Sequence, residues 1–173
     1  MNKLKHFVPD RVLRTLYCTL IRPYLSYGIL LWGVTCESYL DKLVKLQKWA
    51  IRTITNSHYR SHTGPLFSKT KILTVKDMYI LELGVFMFKH TSNELPNVFN
   101  DFFKKRSDIH SYPTRQANDL NTTNNKKRFP DRAVRSAGPV LWNSIEISDD
   151  LKSANSSKHF RKLYKDSLIS KYE

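Results

Sequence analysis

Residues 39–54 place Leu40, Leu43, Val44, Gln47, Ala50, Ile51 and Ile54 on one side of a helical wheel and Lys42, Lys45, Lys48 and Arg52 on the other. A strand would scatter the same apolar residues over both of its faces. The segment is therefore read as an amphipathic helix with a cationic back. The spacing predicts a helix over about Tyr39–Ile54, opened by Ser38 and Asp41 as a Ser-x-x-Asp start signal. Trp49 adjoins the basic stripe but lies nearer the apolar arc, so packing is expected of it. The stripe carries no acid. Two readings of it stand side by side: a solvated helix face and a contact for a polyanion.

The flanking segments are also helical in pattern. From Pro9 to Arg22, Val12, Leu13, Leu16, Tyr17, Leu20 and Ile21 wrap one face, and Pro23 predicts a break or kink. An apolar stretch from Tyr24 to Trp32 follows, ended by Gly33. Residues 55–73 read as mostly loop, with Gly64-Pro65 a turn or the start of a short helix. Thr74 and Asp77 repeat the cap spacing before a largely buried helix over Val75–His90, and Val98–Phe103 reads as a short helix with its phenylalanines inward. From Lys104 to Gly138 the periodicity fades, with short strands expected around His110–Arg115 and Arg132–Ser136. A last helix is expected over Ser157–Ser170, with Phe160, Leu163, Tyr164 and Leu168 inward and Lys158, Arg161, Lys162 and Lys165 outward. The expected fold class is mainly α: a helical bundle, then a mixed, loop-rich C-terminal region with two short strands and a terminal helix. Three regions are read, at 1–60, 61–103 and 104–173.

Charge narrows the partner. The 173 residues carry a formal net charge of +14, split as +7, +2 and +5 over residues 1–60, 61–120 and 121–173. Basic ends around a balanced middle point to polyanion contact at the ends and packing between them. Two cysteines, Cys18 and Cys36, make no disulfide framework, and no secretory leader is read at the start. The expectation is an intracellular, reduced chain in nucleus or cytoplasm. The longest apolar stretch, Tyr24–Val34, is interrupted by Ser26 and Gly28 and falls short of the ~20 residues of a membrane span, so no membrane partner is expected.

Catalytic constellations are not found. The five glycines form no phosphate-cradling loop and no nucleophile elbow. His58 and His62 lack the paired cysteine or histidine ligands that zinc requires. Asp149-Asp150 is followed by a polar turn rather than flanked by hydrophobic strands, and is read as a loop or helix cap rather than a two-metal site. No catalytic residue, metal or cofactor is assigned. A stand-alone nuclease using His110, Tyr112 and Arg115 is the least favoured reading.

The order of several motifs carries a resemblance. Leu16-Tyr17, Ile21, Pro23, Leu25, Tyr27-Gly28 and Trp32-Gly33 appear in that order, followed by Leu43, Leu46, Gln47, Lys48 and Arg52. Tyr59-Arg60-Ser61-His62-Thr63 with Pro65-Leu66-Phe67, then His110-Ser111-Tyr112-Pro113-Thr114-Arg115, then Gly138-Pro139 with Leu141-Trp142-Asn143, complete the series. In this order they resemble the thumb and carboxyl-terminal region of reverse transcriptases from non-LTR (LINE-type) retrotransposons. The family often has Leu-Pro where this chain has Ile145-Glu146.

That resemblance implies a helical thumb followed by a carboxyl-terminal region, placed after the palm and without its catalytic aspartates. The expected function is that of a non-catalytic C-terminal fragment of an RNA-directed DNA polymerase, binding RNA or RNA–DNA duplex through backbone phosphates. Candidate contacts are Lys42, Lys45, Lys48 and Arg52, and a second set at Lys104, Lys105, Arg106, Arg115, Lys126, Lys127 and Arg128. Tyr112 is a candidate base-stacking residue, with loop anchoring as its other role. The other partner implied is the absent palm and fingers of the parent polymerase. The alternative reading is a vestigial helical protein with no activity of its own, or one acting through protein contacts. Apolar surface around Leu16, Leu20, Leu31 and Trp32 would then drive self-association.

Overall fold

In the computed structural model, the residues described are 6–109, 115–122, 134–144 and 147–172. They are mainly helical, as the periodicity predicts. The chain forms two compact units, Met1–Ile80 with Lys165–Glu173, and Leu81–Tyr164.

The first unit opens with α1 (Asp10–Leu16), a π-helical turn (Tyr17–Ile21) and α2 (Arg22–Ser26) in one continuous run. Pro23 does not break it. The π turn closes on a bond from the Arg22 N–H to the Tyr17 carbonyl, and this wider turn opens the ladder where Pro23 has no N–H to give. The chain turns instead at Gly28, whose φ of +60° is the left-handed conformation open to glycine. The short α3 (Ile29–Trp32) then ends at Gly33.

The long helix α4 (Glu37–Ile54) begins two residues before the expected start. Cys36 is its N-cap, through its carbonyl and not a side chain. Ser38 bonds the Cys36 sulfur and Asp41 pairs with Lys76, so the Ser-x-x-Asp signal is not used as a cap. The inward face is as patterned: Leu40, Gln47, Ala50, Ile51 and Ile54 are buried. Leu13, Tyr17, Ala50, Ile51, Ile54, Phe67 and Ile72 form the core, Phe67 coming from α5 (Gly64–Thr70).

Gln47 is the polar centre of this unit. Its side-chain amide donates to the Tyr17 hydroxyl and to the Leu73 carbonyl, both at 2.8 Å. Its carbonyl accepts the Val75 N–H at 3.0 Å, at the start of α6 (Val75–Thr91). Thr74 caps the same helix as the sequence predicts, its hydroxyl accepting the Asp77 N–H at 3.2 Å.

The second unit takes α6 from Leu81 onward, two 3-10 turns (Asn97–Phe99 and Arg106–Asp108), α7 (Val134–Asn143), α8 (Asp149–Lys152) and α9 (Ser157–Ser170) up to Tyr164. Two expectations are corrected here. Val98–Phe103 is only a 3-10 turn and bends, although Phe103 is buried and meets Phe86, His90 and Phe102 edge-on. Val134–Ser136, expected as part of a strand, is the first turn of α7. The one extended pairing among the described residues is a bridge between Lys105 and Leu120.

Asn143 clamps that bridge from α7. Its carbonyl accepts the Leu120 N–H at 3.1 Å and its amide donates to the Leu120 carbonyl at 2.8 Å. A Cβ on Gly138 would lie 2.6 Å from the Met87 sulfur, so α7 approaches α6 through its glycine. On α9, Phe160 and Tyr164 are buried as expected, whereas Leu163 is exposed.

Candidate nucleic-acid interface

Helix α4 projects Lys42, Lys45 and Lys48 into solvent, and none forms an ion pair among the described residues. Lys42 rests over the Tyr39 ring with its ammonium 5.3 Å from the centroid. The helix's two acids are engaged elsewhere: Lys76 holds Glu37 at 3.2 Å and Asp41 at 2.9 Å. Those bonds push the Lys76 ammonium pKa up, Asp41 contributing most. The stripe thus keeps its charge unneutralised by neighbours. At 1.5 Å per residue, Lys42 to Arg52 covers about 15 Å along the helix.

Arg52 departs from the expectation. It is half-buried, and its Nε donates to the Ser61 carbonyl at 3.0 Å, tying the loop after α4 to the helix. Its place at the end of the stripe is structural as well as electrostatic. Trp49, expected to pack, is 53% exposed, with Leu46 beside it at 64%. These two, with Ile21 and Leu25 opposite, border an apolar groove of about 300 Å³ floored by Tyr17 and Ala50. Leu20, Tyr24, Tyr27 and Leu31 are exposed on the same unit, in keeping with the apolar surface expected there, although Leu16 and Trp32 are half-buried.

A further cationic cluster leaves no mark in the sequence pattern. The helical wheel puts Lys165 on the outward side of the last helix, but it is half-buried. Burial pushes its pKa down; Arg22 and Arg14 add to this by repulsion, against the opposing Asp166. Arg14 is oriented by a bond from its Nε to the Thr70 carbonyl at 2.9 Å. Arg161, outward on the same wheel, is half-buried and forms a two-pronged ion pair with Glu82 in the second unit.

Of the second candidate set, Lys104, Lys105 and Arg115 are exposed, while Arg106 is half-buried with its guanidinium on Gln116. The backbone of this segment is held by bonds from the Asn121 N–H to the Lys104 carbonyl (2.8 Å) and from the Arg106 N–H to the Asp119 carbonyl (2.9 Å). Tyr112, Lys126, Lys127 and Arg128 lie outside the described residues, as do all but Arg115 of the strand expected around His110–Arg115 and most of the nuclease triad.

Among the described residues no three His, Cys, Asp or Glu side chains are grouped to hold a metal ion. Asp149 and Asp150 form the exposed first turn of α8, with Asp149 3.5 Å from Lys152. No helix among the described residues is long and apolar enough to cross a membrane. Compared with protein-family models, with curated proteins and with solved structures, the chain matches none.

Proposed function

We propose that the chain is the part of a LINE-type reverse transcriptase that follows the palm, without catalysis of its own, and that it holds RNA or RNA–DNA duplex through backbone phosphates. The observation that carries this reading is the row of exposed, unpaired lysines on α4, beside acids drawn off by Lys76. A flexible ammonium is a point charge suited to phosphate and indifferent to base sequence. The motif order supports the assignment to a thumb, where a helix lies along the duplex.

The test is filter binding of labelled duplexes of unrelated sequence over a salt series. Log affinity falls linearly with log salt, by about 0.9 per phosphate neutralised for B-DNA. Replacing Lys42, Lys45 and Lys48 together with Glu weakens every duplex alike and makes the slope shallower by about 2 to 3. A salt-independent affinity, or a variant that binds as the wild type does, overturns the proposal.

A second reading is favoured by the exposed Leu20, Tyr24, Leu46 and Trp49 around the apolar groove: the chain associates with itself or with another protein through this face. Light scattering separates the two. A salt-insensitive oligomer with no affinity for duplex supports association alone.

A further inference from the structure

In the first unit, the groove between the α1–α2 run and α4 couples an apolar lining to a cationic border. Its wall on α4 is made by Leu43, Leu46, Trp49 and Ala50, facing Ile21 and Leu25. The two polar members of its lining are already engaged. The Gln47 amide is bonded to the Tyr17 hydroxyl, the Leu73 carbonyl and the Val75 N–H, and both side chains are buried. The groove thus calls for apolar side chains rather than a hydrogen-bonding ligand.

Its length suits a helix. Leu43, Leu46 and Ala50 stand at i, i+3 and i+7 on α4, and Ile21 and Leu25 are four residues apart on the opposite wall. At 1.5 Å per residue the α4 wall runs for about 10 Å. A second helix laid along it presents its anchors at i, i+3, i+4 and i+7 over the same distance. Such a helix also covers Leu46 and Trp49, which stand exposed on the rim. A flat lipid surface would leave the floor of the groove unfilled.

The border decides the charge of the partner. Lys42 holds its ammonium over the Tyr39 ring, 5.3 Å from the centroid. Tyr39 precedes Leu43 by four residues and Leu46 by seven, so it continues the groove's α4 wall by one turn, and Lys42 stands at that end. Lys45 precedes Trp49 by four residues and lies one turn away on the same edge. On the other side Arg22 follows Ile21 and is exposed. Residues 11–36 and 42–76, which supply both walls, contain no Asp or Glu. A second copy of the chain in a two-fold pair would set this patch against itself, cation facing cation, with a net charge of +14 on each copy. An acidic partner meets the same border with opposite charge.

We propose that this groove seats one amphipathic helix of an acidic partner protein, its apolar face between Trp49 and Leu25 and its carboxylates at Lys42 and Lys45. The proposal rests on the reading that the exposed apolar face makes protein contacts, and narrows it to a partner of opposite charge.

The test uses the full chain carrying fluorotryptophan, with the fluorine NMR resonance of Trp49 assigned through Trp49→Phe. The probe is a labelled, stapled synthetic helix of about 15 residues, with leucine at i, i+3, i+4 and i+7 and glutamate elsewhere. It is compared with a peptide of the same composition in scrambled order, with one carrying lysine for each glutamate, and with phosphatidylserine vesicles. The acidic helix is expected to bind saturably in fluorescence anisotropy. It should shift the Trp49 resonance and leave that of Trp142, in the second unit, unchanged. Scrambling the peptide, pairing Leu46→Ala with Trp49→Ala, and pairing Lys42→Glu with Lys45→Glu are each expected to weaken binding about tenfold. All four side chains are exposed, so these variants keep the fold, which circular dichroism verifies.

No saturable binding, a scrambled peptide that binds as well, or a lysine peptide that binds as tightly as the acidic one overturns the proposal. Vesicles that shift Trp49 where the acidic helix does not overturn it in favour of a lipid surface. A salt-insensitive oligomer in light scattering, with no affinity for the acidic helix, overturns it while leaving the protein-contact reading standing as self-association. A monomer that binds no peptide overturns both.

Discussion

The hydroxyl of Tyr172 donates to the carboxylate of Asp77, 95 residues earlier in the chain, and accepts the Thr74 N–H at 3.0 Å. In an ordinary capping box the third helical residue would reach back to that N–H itself. Here a tyrosine beyond the end of α9 is inserted between the two partners. Its ring also meets Phe67, with centroids 5.9 Å apart, so the chain's last turns are fastened to the first unit's core.

Burial first, then the Asp77 carboxylate, push the Tyr172 phenol well above its ordinary value of 10. Burial also raises the Tyr17 phenol, against the opposing bond from Gln47. A phenol whose folded pKa is raised contributes stability that is present while it is neutral, below about pH 10. That contribution is lost as pH climbs from 10 toward the raised value. Thermal unfolding between pH 7 and 11.5 should therefore show melting temperature falling above pH 10. Tyr172→Phe should lose roughly 1–2 kcal/mol at pH 7 and fall less steeply above pH 10. An alkaline slope equal to the wild type's would show that the phenol is not the group responsible.

Gln47 satisfies three groups from separate segments, the Tyr17 hydroxyl, the Leu73 carbonyl and the Val75 N–H. Replacing it with Leu keeps the volume and apolar character expected of an inward α4 position, but orphans all three. The expected loss is about 2–4 kcal/mol, read from urea unfolding. Adding Tyr17→Phe removes one orphan and should return part of that loss, a coupling that a merely bulky substitution would not show.

Helix α4 is legible in the sequence because burial repeats at the helical period, and its last residue, Ile54, falls where the pattern ends. Trp49 defeats the same pattern because it sits at the edge of the apolar arc, where exposure depends on how far α1 and α2 reach across. The wheel contains no such information. The break offered at Pro23 does not form for a related reason: one wide turn upstream absorbs the missing N–H, and π turns leave no composition signal. Arg52, Arg161 and Lys165 show the limit of reading charge as solvation. Each lies on the polar side of its helix, yet each is half-buried, Arg52 bonded to the loop that follows its own helix and Arg161 paired with Glu82, 79 residues earlier. The cavity lined by His90, Phe103, Leu120, Trp142 and Lys152 draws its wall from five separated segments, so no local motif could announce it. By contrast, the Trp142-Asn143 pair stands out as a motif, and its amide proves to clamp Leu120.

Gly138 admits α7 against Met87, which is fully buried. Gly138→Ala drives a methyl group toward the Met87 sulfur, and should cost about 1–3 kcal/mol despite alanine's better helix propensity. The buried Met87 side chain must shift to admit the methyl group. Met87→Ala in the Gly138→Ala background should recover part of the loss. If the two substitutions simply add in denaturant unfolding, the close approach is not what selects glycine.

Lys76 gives the most direct way to test whether the α4 stripe depends on its neighbours. Its pairs with Glu37 and Asp41 are exposed, so Lys76→Met should change stability by less than about 1 kcal/mol. The electrostatic effect is larger. Freed of Lys76, Asp41 lies four residues before Lys45 and can pair with it along the helix, the favourable acid-first orientation. One lysine would then be neutralised without having been mutated. Duplex binding should weaken at every sequence, and the salt slope should become shallower by about one phosphate contact, roughly 0.9 in log–log terms. Adding Asp41→Asn should restore both affinity and slope, because it removes the competing carboxylate rather than the lysine. Restoration by the second substitution ties the effect to charge on α4; a Lys76→Met variant that binds with unchanged slope would show that Lys45 does not touch phosphate.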